Sequence, residues 1–150
     1  MLVRVIARAP GCLLLAAVLA INAGCVAKPQ CDLKNPPKRT FKLKIQTQTN
    51  QGKVEPTGVN HGDGSSANLL KTCPGDTVKW ELKDYDFVIA FDKGTSSPFS
   101  WTTKNAANDG ANNWSADGSV EDKEPKDVEL KYSIQIVDGG KLDPIIIVER

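Results

Sequence analysis

The sequence predicts an all-β sandwich. Three observations carry that expectation. Apolar residues alternate with polar ones at period two in several short segments, Gly/Pro/Asp/Asn clusters separate those segments, and no helical period follows residue 24. Short strands with glycine-rich connections pack as two facing sheets.

The strands can be taken in order. Phe41, Leu43 and Ile45 alternate with Lys42, Lys44 and Gln46, the pattern of a half-buried strand. Val54 to His61 reads as a short strand or turn, and Gly62-Asp63-Gly64-Ser65 as the loop after it. Leu69 and Leu70 precede Cys73, and Pro74-Gly75-Asp76 makes a turn. Val78, Trp80 and Leu82 alternate with Thr77, Lys79 and Glu81, and Phe87, Ile89 and Phe91 with Val88 and Ala90. Between Lys93 and Lys126 no period survives, and the segment is expected to be a long irregular insertion loop. Val128, Leu130, Tyr132, Ile134 and Ile136 give the longest alternation. Asp138-Gly139-Gly140 turns it, and Ile145 to Val148 closes the domain as a strand apolar on both faces.

The first 24 residues have a different character. Arg4 and Arg8 form a basic head, Cys12 to Ile21 is unbroken by a polar side chain, and Asn22-Ala23-Gly24 supplies small residues before Cys25. That order describes a secretory signal, and the run is too short to span a bilayer. The separated arginines do not fit a twin-arginine signal. Ala23-Gly24-Cys25 resembles the end of a bacterial lipobox, departing from it at Asn22 where leucine is usual. The resemblance implies a lipidated Cys25 and, with Val26 rather than Asp following, an outer-membrane destination facing the periplasm. Parity agrees, because lipidation of Cys25 leaves Cys31 and Cys73 as an even pair in an oxidising compartment. Their disulfide would close a loop worth about 4 kcal/mol in the chain-entropy model. The alternative is ordinary secretion, with Cys25 paired to Cys31 or free. The expected organisation is a signal peptide at 1–24, a lipid attachment and tether at 25–39, and a sandwich domain at 40–150.

Removing Arg4 and Arg8 leaves 17 bases against 18 acids, with His61 neutral. A balanced charge excludes the basic footprint that nucleic acid requires. The mature length suits one compact domain.

Pro74-Gly75-Asp76-Thr77-Val78-Lys79-Trp80 resembles the Gly-Asp-x-Val-x-Trp strand start of cupredoxins. The hairpin from Val128 to Val148 is similar to the last two strands of that family. The likeness implies a Greek-key β-sandwich. It does not extend to copper, which such sites hold with two His, a Cys thiolate and often a weak axial Met. The cysteine position falls near Ile136, the upstream histidine position falls among Phe87 to Ile89, and Met1 is the only methionine. No blue-copper site can be assembled, and no cofactor is expected.

Other candidates are weaker. His61, Asp63 and Ser65 are neighbours in a glycine-rich loop, whereas a catalytic triad needs convergence through space with an oxyanion hole. The oxygen-rich stretch from Asn105 to Asp122 lacks the ligand steps of a calcium loop. Phe99, Trp101 and Trp114 stand out in an otherwise polar segment. They are either partner-binding residues, as aromatics at interface hot spots are, or plugs for an open end of the sandwich. The expected function is a non-enzymatic envelope module that binds a protein or glycan, attached to the membrane through an N-terminal lipid. The alternative is a periplasmic metal-handling protein with an atypical site at His61.

Overall fold

The computed structural model describes Cys31, residues 38–123 and residues 125–149. The expected signal segment and the lipidation residue Cys25 lie outside the described residues. The strands are β1 (Thr40–Asn50), β2 (Lys53–His61), β3 (Leu69–Thr72), β4 (Thr77–Lys83), β5 (Phe87–Phe91) and β6 (Thr103–Asn105). They continue with β7 (Ala107–Asn108), β8 (Asn113–Ser119), β9 (Glu129–Ile136), β10 (Lys141–Leu142) and β11 (Ile145–Val148). The described residues contain no helix.

Two mixed sheets result. The first has the order β2-β1-β4-β8-β7, and the second β3-β11-β9-β5-β6 with β10 beside β9. β1 runs parallel to β4 and β11 parallel to β3, while the other pairs are antiparallel. The alternation seen in the sequence fixes which residues face inward. Leu43, Ile45, Val59, Val78, Trp80 and Leu82 from the first sheet are buried against Phe87, Ile89, Leu130, Tyr132, Ile134, Ile136 and Ile146 from the second. A hydrogen bond also spans the layers: Trp80 Nε1 donates to Tyr132 Oη at 3.1 Å, which satisfies both polar groups inside the core.

The expected insertion loop needs correction. Lys93–Lys126 contains β6, β7 and the seven-residue β8, and β8 pairs along the whole of β4. β8 does alternate: Trp114, Ala116 and Gly118 face inward, and Asn113, Ser115, Asp117 and Ser119 outward. Two of its three inward positions are too small to register as apolar. Their size has a physical cause. Ala116 lies opposite Trp80, and a Cβ at Gly118 would sit 2.7 Å from the Phe99 ring and 2.9 Å from the Trp101 ring. The aromatic bulk of the neighbours occupies the volume that β8 leaves.

β2 is also a full nine-residue strand. It follows β1 through Gln51-Gly52, both at positive φ, as a two-residue type I′ hairpin requires.

The start of the domain is fastened at one end of the sandwich. Cys31 and Cys73 form a disulfide with Cα atoms 5.6 Å apart. Beside it Asp76, wholly buried, accepts from the backbone N–H groups of Arg39 and Cys73 and from the Arg39 guanidinium, whose closest approach is 2.6 Å. A buried carboxylate is tolerable only when so many donors meet it. Two points within the expected 25–39 tether, Cys31 and Arg39, are therefore bound to the sandwich.

Candidate functional site

β4 runs from Thr77 beside the disulfide to Lys83, so the sandwich has a disulfide end and an opposite end about 20 Å away at ~3.3 Å per residue. The two ends are built differently.

At the disulfide end the loop after β5 folds back into the core. Phe99 is 1% exposed and stacks on Trp101 with ring centroids 4.8 Å apart. Trp80 meets Phe99 edge-on at 5.6 Å and Tyr132 at 5.7 Å, and Phe91 packs against Phe99, Trp101 and Tyr132. Ser97 Oγ accepts from the Phe99 N–H, and Lys123 Nζ donates to the Phe99 carbonyl. Phe99 thus fills the interior, and Trp101 covers it while remaining partly exposed. Burial also pushes the Tyr132 phenol far above its ordinary range, because the charged form cannot be solvated there.

At the opposite end a cleft of about 490 Å³ opens in the first sheet. Its origin is a register change. β1 pairs with β4 only from Thr40↔Thr77 to Lys44↔Glu81. At the same level the β1–β2 ladder is bulged, since Gln46 faces Gly58 and Thr47 faces Pro56 with Thr57 of β2 left over, and bulges bend and twist a ribbon. β1 then leaves β4 while continuing to Asn50 paired with β2 alone. β4 carries on to Lys83 with β8 as its partner. The cleft lies in this fork.

Ile45, Leu82 and Trp114 supply its apolar surface. The first two are buried, and Trp114 is half-buried against the core. Lys44, Gln46, Lys79, Glu81 and Lys83 line it from the outer face of β1 and β4. Asp109, Asn113 and Ser115 complete it from β8 and the loop before it. Lys79 Nζ meets Glu81 at 2.8 Å. That hydrogen bond, with the Asp109 and Asp117 carboxylates farther off, holds the Lys79 ammonium above the ordinary lysine value. Lys44 and Lys83 form no ion pair with a described residue. A pocket of this volume, with an apolar floor and convergent polar groups, has the form of a ligand site.

The structure divides the three aromatics singled out in the sequence. Phe99 and Trp101 belong to the packed end, and Trp114 lines the cleft. The walls of the cleft carried no sequence signal, since single lysines, Gln46 and Ser115 are ordinary outward residues of strands.

His61 stands elsewhere, at the end of β2. Its ring lies 6.2 Å from Phe41, over which the Arg39 guanidinium sits at 5.1 Å. Ser65 Oγ donates to Asp63 at 2.7 Å, and that bond is the main cause of the lowered Asp63 pKa. The Ser65 hydroxyl is therefore aimed at the carboxylate, whereas a triad would aim it at the imidazole. Among the described residues no three of His, Cys, Asp or Glu converge as a metal site would need. In comparisons with known proteins, no family model matches this chain, and no curated sequence matches it significantly.

Proposed function

We propose that the chain is a non-enzymatic binding module of the bacterial cell envelope, a metal-free cupredoxin-like sandwich that presents the cleft between β1 and β4 to an envelope partner. The observation that carries this reading is the position of the cleft. It opens at the end of the sandwich opposite Cys31 and Arg39, through which the preceding segment is bound to the domain. A chain lipidated at Cys25 would hold the disulfide end toward the membrane and the cleft away from it. The Greek-key part of the reading is supported by the path of the chain, which passes repeatedly between the two sheets and brings β1 beside β4. The non-enzymatic part is supported by the make-up of the cleft. Among the described residues no His, Cys or Tyr lines it, and Glu81 is already engaged by Lys79.

The test places a photo-crosslinking residue at Lys83, on the cleft wall, and separately at Lys131, on the outward side of β9. Adducts from living cells are then identified by mass. One recurring adduct at Lys83 and none at Lys131 is the expected outcome. Adducts at Lys131 alone would move the working surface to the second sheet and refute the proposal.

A further inference from the structure

The proposed cleft has a second property, which bears on what it binds. From Gln46 to Asn50, β1 pairs with β2 on one side and with no described residue on the other. An edge of this kind presents alternating N–H and C=O groups that seek partners. The free edge, Gln46 to Asn50, is five residues long, a usual strand length. Its first residue, Gln46, lines the cleft beside Ile45, Leu82 and Trp114, and Thr47 to Asn50 continue past it. Beyond the fork, Gln46 to Asn50 expose both faces of β1, so nothing described covers this edge.

Resting on the reading of the cleft as a binding site, we infer that its ligand is an extended peptide that adds as a strand to the free edge of β1. In this mode the main-chain hydrogen bonds supply affinity, and pockets for alternate side chains supply specificity. Trp114 and Leu82 would receive one apolar side chain of the peptide. Lys44 on β1 and Lys83 on β4 flank the fork with no ion-pair partner among the described residues, and they complement a carboxylate on the peptide, from an acidic residue or its C-terminus. A partner segment that is β-prone, with an apolar residue and an acid near one another, is the chemistry that fits. Gln46-Thr47-Gln48-Thr49-Asn50 offers such a segment polar neighbours on both faces and no steric bar to pairing.

The experiment pans a displayed library of random heptapeptides against the purified protein, and in parallel against a Lys44→Glu/Lys83→Glu double variant. The peptide enriched on the wild type is synthesised and N-methylated at alternate amides, in each of the two registers. Strand addition predicts that one register weakens binding at least tenfold, because it removes the donors facing β1, while the other stays within about twofold. Hydrogen exchange should slow at those Gln46–Asn50 amides that point away from β2 when the peptide binds. The inference is overturned if no peptide is enriched over the double variant, if both registers behave alike, or if protection appears on another surface. It is also overturned if the protein dimerises through this edge, since a second copy would then be the occupant. Lys83 adducts in cells without any enriched peptide would leave the binding module standing and remove only the peptide.

Discussion

The two ends of the sandwich hold similar materials and use them differently. At the disulfide end Phe99 and Trp101 stack within reach of Trp80, Phe91 and Tyr132, and β8 is reduced to glycine at residue 118 to make room. At the other end Trp114 stands on the same strand, half-buried, beside a fork that no described element closes. Aromatic content alone therefore does not mark a working surface. What separates the two ends is whether the space beside the aromatic side chains is filled. A packed end has little freedom to admit a ligand, whereas a cleft with an apolar floor and charged rim retains surface to bury on binding.

This difference can be broken most severely at the packed end. Phe99→Ala removes a core side chain among rings that cannot collapse onto it, and should cost about 4 kcal/mol. Trp114→Ala, at a half-buried position, should cost about half as much. Urea unfolding of the two variants measures both, and equal losses would erase the contrast. Gly118→Ala tests the same packing from the opposite direction. Its methyl would meet the Phe99 and Trp101 rings well inside contact distance, for about 2 kcal/mol of destabilisation. An unchanged midpoint would mean that the rings move aside freely.

How much of this was legible beforehand depended on side-chain size. β4, β5 and β9 place Trp80, Phe87, Ile89, Tyr132 and Ile134 inward, and large apolar residues at period two announce a strand. β8 obeys the same period with Ala116 and Gly118, so it was indistinguishable from a loop until the rings above it were known. Parity points to the observed pairing of Cys31 with Cys73 only when Cys25 is taken as lipidated. The cleft did not follow from any local pattern. It depends on where β1 parts from β4, and although Pro56 and Gly58 mark the bulge at Thr57 on β2, they do not say which strands part there. Trp114 stands out as an aromatic in a polar segment, but its neighbours Leu82 and Lys83 come from a strand some thirty residues earlier.

A smaller effect concerns pH. The folded state raises the Tyr132 phenol above its unfolded value of about 10, so it favours the protonated form. That contribution is complete below about pH 10 and is lost as pH rises beyond it. Tyr132→Phe should cost about 1 kcal/mol at neutral pH through the lost acceptor for Trp80. It should also flatten the alkaline fall in stability relative to the wild type. Parallel falls from pH 9 to 11 would show that the phenol is not the cause. The smallest expected change in stability belongs to the cleft. The Lys44→Glu/Lys83→Glu double variant alters two outward side chains and should stay within about 0.5 kcal/mol of the wild type per site. A larger loss by thermal unfolding would mean that these lysines support the fold.

The central claim is that the open end works and the packed end supports it. The most direct measurement moves one photo-crosslinking residue between Trp101 and Lys83 and compares the adducts formed in cells at matched expression. The account predicts a recurring adduct from Lys83 and none from Trp101. An adduct from Trp101, with Lys83 silent, would contradict it and make the aromatic end the interface.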